Sequence, residues 1–230
     1  MILNDLSTTE LVVLQLHFGG DRNFSYLIGD RSSGEAAVFD PGYQPGELKA
    51  AAEDEQFHIT AIGVTHGHSD HVGGLRALAD LTGAAVYAGA ASIHPGAVVP
   101  VGQGPSFHLG KHPVTVLPTP GHSPDHLCWL CGAFLVTGDL LFCGKVGGTG
   151  DYFPGSSAEQ EWTSLHRLLE LPDATVVLPG HDYYGGEGRR PHSTIGHERR
   201  NNPFLLCEDF AAFVHLKENW AAYKAEHGVR

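Results

Sequence analysis

Thr65-His66-Gly67-His68-Ser69-Asp70-His71 is the stretch on which the reading of this chain turns. It follows an apolar run, Ile59 to Thr65, and precedes a segment of helical periodicity, Val72 to Leu81, so it reads as the loop of a strand, loop, helix unit. Four side chains able to bind a metal fall within six residues of that loop. His66 and His68 can be aimed at one ion, while Asp70 and His71, at the start of the helix, can turn toward a second. Gly73-Gly74 lets that helix pack closely.

Three further residues share the same setting just beyond an apolar strand: His122 in Thr119-Pro120-Gly121-His122-Ser123, Asp139 in Thr137-Gly138-Asp139, and His181 in Leu178-Pro179-Gly180-His181-Asp182. Strand ends converge at a sheet edge, so all seven side chains can meet. Imidazole and carboxylate suit zinc or iron, and a carboxylate can bridge two ions as an imidazole cannot, which makes Asp139 the natural bridge. Taken singly, each has a plain structural reading: a histidine beside glycine is commonly solvated, and an aspartate at a helix start commonly caps it, as Asp70 would. Five histidines and two aspartates in one context outweigh seven separate coincidences.

Outward from these motifs the chain alternates. Leu11 to Gln15, Phe24 to Ile28 and Ala36 to Phe39 read as an opening β meander, followed by a helical pattern over Pro45 to Gln56. Ala85 to Ala88, Val114 to Leu117, Leu127 to Leu130, Phe134 to Thr137 and Val176 to Leu178 read as strands, and Ala158 to Leu169, Thr194 to Asn201 and Cys207 to Glu226 as helices. Strands in two groups, each with helices, predict an α+β fold in which two packed sheets are covered outside by helices. Length and the lack of linkers or repeats predict a single domain over 1–230, with the helical segments of 191–230 packed on it.

Composition narrows the function. Twenty-six acidic against 14 basic residues give a net charge of −12, which disfavours nucleic acid, and no apolar run approaches the roughly 18 residues of a membrane span. No secretory signal pattern opens the chain, so a cytoplasmic protein is expected, and a homo-oligomer is compatible with the sequence. Sixteen histidines point to metal or acid-base chemistry. Cys128, Cys131, Cys143 and Cys207 make no disulfide framework, and the Cys128-x-x-Cys131 pair reads as small core residues in two strands around a turn at Gly132.

The H-x-H-x-D-H run, followed in order by Gly-His, Gly-Asp and Gly-His, resembles the metallo-β-lactamase superfamily over nearly the whole chain. Asn23-Phe24-Ser25-Tyr26-Leu27, Phe39-Asp40-Pro41-Gly42, Pro179-Gly180-His181-Asp182-Tyr183, Ser193-Thr194-Ile195-Gly196-His197-Glu198-Arg199 and Asn202-Pro203-Phe204 are similar to its glyoxalase II and persulfide dioxygenase branch. The resemblance implies an αββα sandwich. It also implies two metal ions, zinc foremost: one held by His66, His68 and His122, the other by Asp70, His71 and His181, with Asp139 bridging. In hydrolytic members a water of lowered pKa attacks a carbonyl polarised by one ion, and Asp70 would orient that water and handle its proton.

The favoured substrate is a glutathione thioester, with Tyr183 as the implied thiol-side contact. The alternative is a persulfide dioxygenase with one Fe(II) on His66, His122 and Asp139, and the third a lactam or lactone hydrolase. One departure stands out: both families carry Arg or Lys nine positions after the bridging aspartate, where this chain has Gly148. Lys145 is the nearest basic residue able to take over, with Arg189, Arg190, Arg199 and Arg200 beyond it.

Overall fold

Apolar alternation does what the sequence pattern demands: it builds two sheets, each with one face against the other and one against helices. The computed structural model describes residues 2–17, 22–89, 98–100, 104–182 and 191–228. In chain order the first half carries β1 (Ile2–Asp5), β2 (Leu11–Leu16), β3 (Ser25–Asp30), β4 (Glu35–Phe39), α1 (Pro45–Asp54), β5 (His58–Gly63), α2 (Ser69–Val72), α3 (Leu75–Thr82), β6 (Ala85–Ala88) and β7 (Val98–Pro100). The second half carries β8 (Gly104–Leu109), β9 (His112–Pro118), β10 (Leu127–Cys131), β11 (Phe134–Gly138), β12 (Leu141–Phe142), β13 (Lys145–Val146), α4 (Ala158–Leu168), β14 (Val176–Pro179), β15 (Ser193–Thr194), α5 (Ile195–Asn201), α6 (Phe210–Glu218) and α7 (Trp220–His227).

Strands β1 to β7 form one sheet in sequence order, and the second runs β15-β14-β11-β10-β9-β8. Three apolar layers hold the stack together. Between the sheets lie Val13, Tyr26, Ile28, Phe39, Ala61, Val116, Trp129, Val136 and Leu178. Outside the first sheet, Leu48, Ala52, Leu75 and Leu78 of α1 and α3 pack on Val38 and Ile62. Outside the second, Leu165, Ile195 and Phe213 of α4, α5 and α6 pack on Leu135 and Val177. The α+β, αββα expectation is therefore met.

Topology explains why the motifs converge. Strand β5 runs parallel to β4, β11 parallel to β14, and β9 and β11 both run antiparallel to β10. The carboxyl ends of β9, β11 and β14 thus share one edge, and the residues just beyond them are His122, Asp139 and His181.

Several boundaries differ from the sequence reading. Ile2–Asp5 is an edge strand, pairing with β2 through an irregular register. The Val72–Leu81 helix is two pieces separated at Gly73-Gly74, where Gly74 N donates to Pro41 O (2.9 Å). The Cys207–Glu226 helix starts only at Phe210, because the Asp209 carboxylate accepts from Ala212 N, and breaks at Asn219. Asp70 lies in the first turn of α2 and caps nothing: the N-cap position is His68, without a side-chain cap bond. Cys128 and Cys131 are both buried but belong to different apolar layers, and burial pushes each thiol up to about 12. Three residues apart on a strand, they face opposite sides of the sheet.

Candidate metal centre

All seven side chains singled out in the sequence meet at this edge. His66, His68, Asp70 and His71 come from the loop after β5 and from α2, His122 from the β9–β10 loop, Asp139 from the end of β11 and His181 from the end of β14. His66, His71, His122, Asp139 and His181 are buried, while His68 and Asp70 are half-buried. Donor atoms of His66, His68 and His122 lie within 4.8 Å of one another, as do those of Asp70, His71 and His181, and those of His66, His71 and Asp139. Asp139 stands between the groups, with Oδ2 3.6 Å from His122 Nε2 and 3.3 Å from His181 Nε2, and Oδ1 3.3 Å from His71 Nε2.

Partners on the outer ring nitrogens decide what the inner ones present. His122 Nδ1 is 2.7 Å from Gly148 O, and a carbonyl only accepts, so Nδ1 carries the proton and Nε2 a lone pair. His71 Nδ1 is 2.9 Å from the buried Asp40 carboxylate, which keeps a proton on Nδ1 and leaves Nε2 as the atom that can face an ion. Thr65 Oγ1 donates to Asp40 Oδ2 (2.7 Å) and so accepts from His66 Nδ1 (3.0 Å), leaving the His66 Nε2 lone pair inward. The inner ring nitrogens crowd together: His66 Nε2 and His122 Nε2 lie 2.9 and 3.1 Å from His68 Nδ1, and His71 Nε2 lies 3.3 Å from His181 Nε2. Asp139 Oδ1 adds a buried oxygen with no hydrogen-bond donor. Converging ring nitrogens and carboxylate oxygens, one of them orphaned, call for positive charge among them, as protons or as a metal ion, so the residues present fit a metal centre.

Without an ion, protons stand where a cation would: burial opposes the charge on His71 and His181, but the carboxylates of Asp139, Asp40 and Asp70 outweigh it, raising His71 well above the usual imidazolium range and His181 to about 9. Burial pushes the His66 imidazolium well below its usual range. Burial opposes ionisation of Asp139, but His71 and His181 more than offset it and hold the carboxyl well below its ordinary value. A hydrogen bond from His181 does the same for Asp70. Asn23 Nδ2 also donates to Asp70 Oδ2 (3.0 Å), which fixes that carboxylate toward the cluster.

Four supporting residues were not anticipated as part of the site: Asp40, Thr65, Asn23 and His126. Asp40 lay inside a quoted motif but has no ligand-like setting; its φ of 52° and its three accepted bonds, from Thr65 N, Thr65 Oγ1 and His71, show its work. His126 is buried with its ring 5.3 Å from that of His66 and its Nδ1 2.9 Å from Thr119 Oγ1, and burial lowers it to about 3.

Beyond Gly148 a cavity of about 480 Å³ opens, lined by Lys145, Gly147, Thr149, Phe204, Lys217 and Trp220 among others. Lys145 is therefore a wall residue of a cavity one backbone strand away from His122. A β-carbon at position 148 would overlap the Phe153 ring, and that ring packs 4.7 Å from His122, centroid to centroid. The departure at 148 is thus built in: Phe153 occupies the space that a longer side chain would need. Tyr183, Arg189 and Arg190 lie outside the described residues. Arg199 and Arg200 are engaged elsewhere, both with Asp173.

The sequence matches the family model described as metallo-beta-lactamase superfamily over residues 18–111 and 89–181. The chain belongs to the metallo-β-lactamase superfamily. Among curated relatives it is 34% identical over 228 residues to a hydroxyacylglutathione hydrolase of Cereibacter sphaeroides, covering 90% of this chain and 88% of the relative. It is 37% identical over 241 residues to one of Maricaulis maris, covering 90% and 91%. Among solved structures it is similar to ETHE1 from Myxococcus xanthus, with 33% identity, a TM-score of 0.81 and 90% of each chain covered. This is accordingly an enzyme of a metal-dependent family, with its His/Asp cluster in place. Among the described residues no helix is long and apolar enough to cross a membrane.

Proposed function

We propose that the protein hydrolyses a thioester of the hydroxyacylglutathione kind. The observation that carries this reading is the likeness to named hydroxyacylglutathione hydrolases over 90% of the chain, joined to a cluster in which all seven ligand positions are filled. His66, His68 and His122 would hold one ion, Asp70, His71 and His181 the other, and Asp139 would bridge. Two zinc ions are the favoured occupants; when bound, they supply a water whose pKa is brought to about 7 and a Lewis acid for the carbonyl. Asp70, half-buried and held ionised, would orient the attacking water and handle its proton.

The cavity beside Gly148 suits the carrier end of such a substrate. Lys145 lines it, and burial holds that ammonium below its usual value, which marks a partly desolvated cation suited to a carboxylate, while the neighbouring Lys217 is engaged by Glu161. The chain acts as one domain, since Phe204, Phe213 and Trp220 pack in the same apolar layer as Leu135 and Leu141.

A second reading, a mononuclear iron persulfide dioxygenase on His66, His122 and Asp139, is favoured by the likeness to ETHE1 at 33% identity. Elemental analysis of protein purified without added metal, followed by assays with S-lactoylglutathione and with glutathione persulfide under oxygen monitoring, separates the two. About two zinc ions and thioester cleavage support the hydrolase. One iron with oxygen uptake, and unchanged metal stoichiometry in His181→Ala, would replace it with the dioxygenase.

A further inference from the structure

We propose that the buried Glu161–Lys217 pair is the positioning device for His122, acting on that imidazole from outside the cluster. The inference rests on His122 being a metal ligand.

His122 depends on two supports. One is its own backbone at Gly121; the other is Gly148 O, which accepts from its Nδ1. Helix α4 holds the first. A β-carbon at Gly121 would overlap the Glu161 backbone, Ser157 N donates to Gly121 O (2.7 Å), and Ser164 Oγ donates to Pro120 O (2.7 Å). Lys217, reaching across from α6, holds the second. Its Nζ donates to Gly147 O (2.7 Å), the carbonyl immediately before Gly148, and pairs with Glu161 Oε2. Glu161 is wholly buried, and its other oxygen, Oε1, has no hydrogen-bond partner.

Stability does not account for this arrangement, because a buried ion pair is commonly matched or bettered by apolar side chains of the same volume. What the pair adds is direction. A single ammonium ties the carboxylate of α4 to the carbonyl of the Gly147-Gly148 strap, so the two backbone segments flanking His122 move as one. A metal ligand held from both sides keeps its Nε2 aimed at His66 and His68, and loss of such outer support typically weakens metal binding about 10- to 100-fold.

The test is zinc affinity by chelator competition, measured on the full chain in two backgrounds. His181→Ala leaves the group of His66, His68 and His122 intact; His122→Ala leaves the group of Asp70, His71 and His181. Glu161→Gln/Lys217→Met removes both charges and the bond to Gly147 O while keeping volume. In the His181→Ala background it is expected to weaken zinc binding about 10-fold, with little change in the His122→Ala background. Glu161→Gln alone, which leaves Lys217 Nζ in place to donate to Gly147 O and keeps an oxygen facing it, is expected to retain most of the affinity. A merely structural role would weaken both backgrounds alike, and that result overturns the proposal. So would unchanged affinity of the double variant in the His181→Ala background, or loss of cooperative unfolding in both the double and the single variant. If His122→Ala itself has no effect on zinc, the ligand assignment fails and takes the proposal with it.

Discussion

Replacing Asp40 by asparagine changes one atom and should invert two histidines. Oδ1 of Asp40 accepts from Thr65 N (2.7 Å), a backbone donor that cannot reverse its role, so the introduced amide must keep its oxygen there. Its NH2 group then takes the place of Oδ2, facing Thr65 Oγ1 and His71 Nδ1, both of which donate to the carboxylate in the native protein. His71 is forced to accept at Nδ1 and to carry its proton on Nε2, aimed at the cluster. Thr65 Oγ1, now receiving a proton from the amide, turns its own toward His66 Nδ1, which lies 3.0 Å away, and inverts that ring as well. Each metal group loses a lone pair.

Outer-partner losses of this kind cost about 10- to 100-fold in metal affinity, or about 1.4 to 2.7 kcal/mol per ion. The fold should suffer less, because the amide fills the same volume and leaves every donor paired; weakening a charged acceptor costs about 1 to 2 kcal/mol. Zinc titration against a chromophoric chelator, paired with thermal unfolding of the metal-free protein, reads both quantities. Wild-type zinc affinity in a folded Asp40→Asn variant would refute the tautomer argument outright.

Gly148→Arg, which writes back the basic residue of the related families, should impair rather than improve the enzyme, since its β-carbon collides with Phe153; pairing it with Phe153→Ala should restore zinc binding, as chelator competition will show. Burial raises Glu161 to about 7, despite Lys217, so its contribution to folding is present below about 4.5 and is lost as pH rises through about 7. Glu161→Gln should therefore remove a downward slope in stability between those pH values, read from urea midpoints, and parallel slopes in the two proteins would contradict it. Trp129→Ala, which empties the middle of the inter-sheet layer and frees Val64 O from its indole donor, should cost about 3 to 5 kcal/mol in denaturant unfolding.

The ligand positions were legible because each sits within a few residues past an apolar run, and strand ends gather wherever the strand directions bring them to one edge. His68 and His71 carry that signal as plainly as any. Asp40, Thr65 and His126 do not, since a buried hydrogen-bond partner has no periodicity of its own and its value depends on what lies across a sheet interface. The first strand escaped notice because only Ile2 and Leu3 interrupt a polar opening, and an edge strand needs pairing on one side only. The break between α6 and α7 was hidden by apolar spacing that continues through Asn219, although Asp209 before Phe210 carries an ordinary start signal.

Each of the two outer ligand groups draws from both halves of the sandwich. His66 and His68 reach in from the first sheet to meet His122 from the second; Asp70 and His71 do the same with His181. Any ion bound there is a clasp between two leaves, and its binding energy opposes their separation by an amount that grows with the logarithm of its free concentration. Metal supply then sets how often the leaves part, and amide exchange along β5 and β11 would report scarcity of the ion well before the protein unfolds.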